Sequence, residues 1–353
     1  MNDLLKFPAV YFGGKRAVAD IIWSRLGNVT NYVEVFGGSL AVLLSRPPEH
    51  FECGTQRIET VNDINAFLEN FWRACRDQPA LTAFWADRPT SELALHATGD
   101  AMFYRGMAGH DGSFRSPKEF IEKLRGDETW FDPKLAGLWV WGLSNWIGDD
   151  WSAKKENEVV LSLPHLGSAG QGVARQLPHL GSAGRGVARQ LPHLGNAGQG
   201  ECARHLAALT EWFIALADRL RHVRICCGDW KRVVKDSVIF YPGTPTGILL
   251  DPPYVLEGRD SVYGEHESAT IAAEVRAWAL ANGNRPELRI ALCSYGEEEL
   301  PGWERVRWSA QGGYGNQGDN SRGAENRHRE SIDFSPHCLK AIEEPSLFAE
   351  SAK

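Results

Sequence analysis

The sequence predicts an α/β fold, a doubly wound sheet interrupted by a mostly helical lobe, on three observations. Short strand-like runs alternate with helical periods at both ends of the chain. A glycine turn, Gly37-Gly38-Ser39, joins the first run to a helix. A fully apolar run, Gly247–Leu250, stops abruptly at an acid followed by two prolines, as a buried parallel strand does at its carboxyl end.

The elements follow in order. The first strand is expected over Asn31–Phe36, followed by a short apolar helix, Leu40–Ser45. A second strand over Arg57–Val61 ends at Asp63 and leads to a helix over Ala66–Arg76, giving a βαβ opening of the dinucleotide-fold type. Residues 79–150 lack this alternation and are rich in tryptophan and phenylalanine, most densely over Leu138–Ile147. They read as a helical lobe whose tryptophans belong to its core. Regularity returns with a helix over His205–Arg221, a strand over Val223–Cys226, the strand Gly247–Leu250, a helix over Ser268–Asn282 and a strand over Arg289–Ser294. Val306–Trp308 and Ser331–Phe334 read as a closing antiparallel pair.

Between the halves lies a repeat with a period of 14 residues. Leu163–Gln176, Leu177–Gln190 and Leu191–Arg204 each carry Leu-Pro-His-Leu and three glycines in phase, with an arginine near the end of each unit. Units this short and glycine-rich cannot bury a core of their own, so they must stack on one another, fold against a partner or stay mobile, and a flexible or partner-facing insertion is expected. No Cys or acid recurs in phase with His165, His179 and His193, so no metal is expected there. The organisation is therefore 1–78 with 206–340 as the sheet domain, 79–162 as the lobe, 163–204 as the repeats and 341–353 as a tail. The polar run Gln311–Arg329 reads as a loop.

Composition narrows the classes. With 353 residues and 43% apolar content the chain can build one large domain and an accessory region. No apolar stretch approaches the ~20 residues of a membrane span, and Met1-Asn2-Asp3 does not begin a signal peptide. Seven cysteines without a CxxC pair argue against a disulfide framework and a structural zinc site, and a cytoplasmic setting follows. Cys226-Cys227 reads as buried packing. A net charge of −7 opposes non-specific coating of nucleic acid. It leaves room for a local basic face: residues 163–206 hold Arg175, Arg185, Arg189 and Arg204 against Glu201 alone, whereas acids crowd Glu257–Glu304.

The most informative residues are Asp251-Pro252-Pro253-Tyr254. At the carboxyl end of a buried strand, the Asp251 carboxylate can accept one hydrogen of a planar amine. A backbone carbonyl of the Pro252-Pro253 turn can accept the other, and the Tyr254 ring can stack on the amine's ring. The competing reading is a strand terminator with a core tyrosine. The glycine turn also has a competitor, a phosphate loop, but no GxxxxGK[ST] is present and Lys15 precedes the first strand.

Four further motifs precede this one: Tyr11-Phe12-Gly13-Gly14-Lys15, Tyr32-Val33-Glu34-Val35-Phe36-Gly37-Gly38-Ser39-Leu40, Val61-Asn62-Asp63-Ile64-Asn65 and Gly228-Asp229-Trp230. Together, in this order, the five resemble the Dam-like DNA adenine methyltransferases, across residues 7–76 and 206–335. The resemblance implies a Rossmann-like methyltransferase sheet, S-adenosylmethionine as methyl donor, no metal, and transfer to the 6-amino group of an adenine flipped from double-stranded DNA. It implies donor contacts from Tyr11, Lys15, Glu34, Phe36, Gly37, Gly38 and Ser39. Asp63 would meet the ribose, and Asp229 and Trp230 the adenine. Lys15 would lie near the donor's methionine end or the site mouth, with Glu34 at that same end. Asp251, Pro252, Pro253 and Tyr254 would hold the acceptor. Val35 stands where Pro is usual and Leu40 where a last Gly is frequent. A restriction–modification partner endonuclease or a solitary enzyme both fit. An RNA methyltransferase of the same fold and an inactive DNA-binding module are the alternatives. Arg105, Arg115, Lys118, Lys123 and Arg125 of the lobe, with the repeat arginines, are candidate DNA contacts.

Overall fold

The computed structural model describes residues 5–9, 11, 14–51, 57–89, 91–145, 201–253, 265–295, 298–308 and 330–340. Seven strands form the main sheet: β1 (Asn31–Glu34), β2 (Ile58–Asp63), β5 (Val223–Cys227), β6 (Thr246–Leu250), β7 (Leu288–Tyr295), β8 (Glu304–Arg307) and β9 (Glu330–Phe334). Their order is β5-β2-β1-β6-β7-β9-β8. The first five run parallel; β9 is antiparallel to both β7 and β8. This is an α/β, mostly parallel sheet of Rossmann-like kind.

Both faces are covered because adjacent residues of the central strands point opposite ways. On one face Tyr32, Val61, Leu249, Ala291 and Ile332 join a core with the helices α1 (Ala19–Leu26), α3 (Ala66–Asp77), α4 (Pro79–Ala86), α7 (Pro133–Asn145) and α8 (Glu201–Leu220). On the other, Val33, Val35, Ile248, Leu250 and Ile290 pack against Val233, Val234, Ile239, Val275 and Ala279. The last three lie on α9 (Asp236–Ile239) and α10 (Glu265–Asn282). Leu209, Trp212, Phe213, Leu216 and Leu220 form the buried stripe of α8 at helical spacing.

The lobe is helical, with two additions to the expectation: a π turn over Ala101–Arg105 and a hairpin of β3 (Met107–Ala108) and β4 (Phe114–Arg115). Besides α4 and α7 it holds α5 (Glu92–Asp100) and α6 (Pro117–Gly126). The latter starts at a capping box of Ser116 and Glu119 with Pro117 in its first turn. Ala83, Phe120 and Trp139 lie in the same core as the sheet face above, so the lobe and sheet share buried surface. Trp139 and Trp141 are buried, in line with their reading as core; Trp146 lies outside the described residues, as do the repeats 163–200, the Gln311–Arg329 run and the tail. No helix among the described residues is long and apolar enough to cross a membrane.

Boundaries moved by small amounts. β1 ends at Glu34 rather than Phe36 because the chain turns into the glycine loop there. β2 runs on to Asp63 because β5 pairs with it through Asp63↔Cys227. The helix after the loop, α2, spans only Ala41–Leu44.

Candidate functional site

The strand order reverses between β1 and β6, whose neighbours lie on opposite sides. In such sheets the crevice beyond the carboxyl ends of the strands at this point is the usual ligand site. The chain brings most of its motifs there: Gly37-Gly38-Ser39 follows β1, Asp63 ends β2, Asp229 follows β5 and Asp251 follows β6.

The glycine turn is built by its neighbours. Gly37 donates its N–H to the Asn62 carbonyl at 2.8 Å, and a Cβ there would meet Leu40 at 2.9 Å. Gly38 has φ +50°, and a Cβ would lie 3.2 Å from the Tyr11 ring. Its N–H donates to Asp63 Oδ2 at 3.0 Å, while its carbonyl accepts from Trp72 Nε1 at 3.1 Å. Leu40, where a glycine is frequent in the resembling pattern, is fully buried at φ 52°, ψ 29°, a left-handed conformation strained for leucine. A Cβ on Gly14 would lie 3.6 Å from the Ser39 hydroxyl, so the N-terminal motif rests on the glycine turn.

Asp63 is buried. Its Oδ1 accepts from Asn65 N–H at 2.9 Å while Oδ2 holds Gly38, and burial raises its carboxyl above the ordinary range against those bonds. Two residues that sequence reasoning left out complete this corner. Asn62, also buried, donates to the carbonyls of Val35 and Gly228, tying the ends of β1, β2 and β5 together. Asn65 caps α3 by accepting from Phe67 and Leu68 N–H. Both belong to the motif containing Asp63; a polar residue inside a buried strand was the available signal for Asn62.

Beyond the end of β6, Lys15 Nζ lies 2.9 Å from Asp251 Oδ2, with side chains 6% and 18% exposed. The lysine, expected at the donor's methionine end or the mouth, is thus held on Asp251. Burial by itself pulls the ammonium down, but Asp251, Cys293 and Glu330 together raise it above its ordinary value. Glu34 is buried beneath α2, where Oε2 accepts from Tyr32 OH and Leu43 N–H, both at 3.0 Å. Burial pushes its carboxyl up to about 8 despite those bonds. Pro252 is buried and Pro253 half-buried; Tyr254 lies outside the described residues, and so do Phe12 and Gly13.

The residues expected to meet the adenine divide. Asp229 is exposed and accepts from Lys231 N–H at 2.7 Å, opening a short 3-10 turn. Trp230 is largely a core side chain, 7% exposed, with its ring centroid 6.3 Å from that of Phe36 at 34°. Phe36 and Trp230 therefore flank one corner of the crevice beside the ends of β1 and β5.

Some candidate DNA contacts are engaged internally. Arg125 Nη2 donates to the Ile64 carbonyl beneath the Asp63 turn, and Arg115 makes a two-point pair with Asp111 while covering Trp130. Arg125 is thus half-buried and engaged within the fold. Arg105 pairs with Asp100 at an exposed position, Lys118 pairs with Glu122, and Lys123 lies over Trp130. Cys227 is buried and Cys226 half-buried, and burial raises both thiols, to about 12 and about 11. Among the described residues no group of three or more His, Cys, Asp or Glu is placed to hold a metal.

Compared with protein-family models and with curated protein sequences, the chain matches none.

Proposed function

We propose that this protein is an S-adenosylmethionine-dependent DNA methyltransferase acting on the 6-amino group of adenine. The observation that carries the reading is Asp251. It follows β6 at the reversal point of the sheet, begins the Asp-Pro-Pro segment, and lies on the same edge as the glycine turn and Asp63. The strand order supports it too. It is the dinucleotide order with one reversed strand, β9, slotted between β7 and β8, a sheet whose ligand crevice lies beyond the carboxyl ends of its parallel strands.

The residues present suit the donor. Gly37 and Gly38 let the turn pack tightly on Leu40 and Tyr11, where a side chain would collide, and so keep its backbone at the end of β1 beside Asp63. Asp63 has lone pairs beyond the two backbone N–H groups it holds, enough to accept from ribose hydroxyls. Phe36 and Trp230 offer apolar walls to an adenine ring. When bound, S-adenosylmethionine supplies an electrophilic methyl group and a positive charge.

An adenine amino group is a weak nucleophile because its lone pair is delocalised into the ring. Asp251 Oδ1 and a carbonyl of the Pro252-Pro253 turn would take its two hydrogens and free that lone pair. Lys15, holding Oδ2, would fix the carboxylate in the required orientation. The base must leave the duplex to reach this pocket.

The test is incubation of purified protein with unmethylated duplex DNA and S-adenosylmethionine carrying a labelled methyl, followed by nucleoside mass analysis. Label in 6-methyladenine is expected. Label in a methylated cytosine would move the acceptor. Label only in RNA would favour the RNA methyltransferase, and absence of both label and donor binding the inactive module.

A further inference from the structure

A carboxylate distant in sequence from every motif faces the acceptor end of the crevice. Glu330 begins β9 and pairs across the sheet with Tyr295 at the carboxyl end of β7. Its side chain shares a strand face with Ile332 and Phe334, the face on which Leu249, Cys293 and α1 pack, and on which the alternation of β6 puts Asp251. Glu330 and Asp251 thus approach Lys15 from two strands, and the lysine feels both charges. The charged and titratable groups gathered here are Lys15 before α1, Glu34 from β1, Asp251 after β6, Cys293 from β7 and Glu330 from β9. Two carboxyls, Asp251 and Glu330, act on the one ammonium, and Glu34 lies close enough to Asp251 to feel its charge. Asp251 is engaged by Lys15, and Glu34 by Tyr32 and Leu43, whereas the Glu330 carboxylate has no hydrogen bond from the described residues.

Resting on the methyl-transfer reading above, we propose that Glu330 is a charge-stabilising residue of the acceptor pocket, its carboxylate offsetting the positive charge that develops on the acceptor nitrogen. In the transfer the nitrogen lone pair forms the N–C bond as the C–S bond breaks. Sulfur keeps the bonding pair and becomes neutral. The positive charge passes to nitrogen, which then releases one proton to water. A negative group at the nitrogen end of this path, in a partly dry site, favours the transition state over the ground state. A role confined to donor binding would instead appear in the donor's affinity.

The experiment measures single-turnover methylation of duplex DNA from about pH 5 to 9, with the donor dissociation constant, for wild type, Glu330→Gln and Glu330→Asp. Wild type is expected to lose rate on the acid side as Glu330 protonates; burial raises that group, so the limb lies above the ordinary glutamate range. Glu330→Gln should lower the plateau about tenfold or more, flatten the acid limb, and leave donor affinity within about twofold. Glu330→Asp should restore part of the rate together with the limb, and it carries the test if the Gln variant does not fold. A wild-type rate in Glu330→Gln, or an unchanged limb in it, overturns the proposal, since a surviving limb belongs to another group. An Asp variant no faster than Gln overturns it as well. If wild type itself methylates nothing, the methyl-transfer reading fails and Glu330's role falls with it; if wild type is active and the variants match it, only Glu330's role fails.

Discussion

Lys15 reaches Asp251 across the fold, Nζ to Oδ2 at 2.9 Å, joining the N-terminal motif to the residue that ends β6. Both groups are largely shielded, so each is the other's compensation for lost hydration. Lys15→Met should leave the carboxylate partly buried and uncompensated, at a cost of about 1–3 kcal/mol in urea unfolding. Asp251→Asn with Lys15→Met should cost less than the two singles together, with a coupling of about 1 kcal/mol or more. Additive effects in that cycle would mean the pair contributes no net stability.

Glu34 gives a pH dependence whose sign is fixed. Its folded carboxyl titrates at about 8, against an ordinary value of 4.5. Between these values the folded state holds a proton that the unfolded chain has released. Stability from this group is therefore complete below the unfolded value and falls as pH rises towards 8. Glu34→Gln keeps an oxygen to accept from Tyr32 and Leu43. It should abolish that part of the slope and raise stability at pH 8 by an amount on the order of a few kcal/mol. A slope unchanged in the variant, followed by urea unfolding from acid to mildly basic pH, would assign it to other groups.

Glu69 makes a stronger case for a neutral buried acid. It is fully buried on α3, and neither carboxyl oxygen has a hydrogen-bond partner among the described residues. Burial, reinforced by Asp63, raises it well above its ordinary value against the pull of Arg73. Glu69→Leu removes an unmet polar group at similar volume and should stabilise by about 1–3 kcal/mol, more at high pH than at low. A thermal melt that falls on this substitution would show that the carboxyl has a partner in solution, such as a buried water.

Leu40 tests the glycine loop. Glycine would relieve the left-handed strain at φ 52°, a gain of about 1–2 kcal/mol. It would also empty a fully buried leucine site, a loss of about 3–5 kcal/mol. The cavity outweighs the strain, so Leu40→Gly should be destabilising by about 1–4 kcal/mol in denaturant unfolding. A more stable variant would place the strain above the packing.

Gly38→Ala acts in the opposite sense, adding a Cβ at φ +50° and 3.2 Å from Tyr11. It should cost about 1–2 kcal/mol and weaken S-adenosylmethionine binding in calorimetry, because the added carbon presses on the Tyr11 ring and shifts the turn. Unchanged binding would move the donor away from this turn.

Much of the architecture was legible because local signals agreed with tertiary need. Gly247–Leu250 is apolar throughout since β6 is buried on both faces between β1 and β7, and that pattern reads directly from the residues. The Asn65 cap and the buried stripe of α8 likewise act within a few residues of themselves. The motif positions put Gly37, Gly38, Asp63, Asp229 and Asp251 at strand ends, and those ends are on one edge of the sheet.

What remained hidden depends on contacts between distant segments. Lys15 was readable as a functional residue, but its partner was not, because only the docking of the N-terminal segment against the glycine turn brings it to Asp251. Trp230 read as an adenine-stacking residue, and its packing decides how much of the ring is left for that role. Arg125 read as a surface cation until α6 turned it onto the Ile64 carbonyl. Glu330 carried no signal, as an isolated acid beside a polar run; the β7–β9 register alone brings it to the pocket. The sequence by itself determined which segments become strands and helices and which residue types stand at the strand ends, since those follow from local periodicity and turn chemistry. Only the tertiary structure decided which charges share a desolvated space, because burial and pairing depend on strand order and on helices packed from elsewhere in the chain.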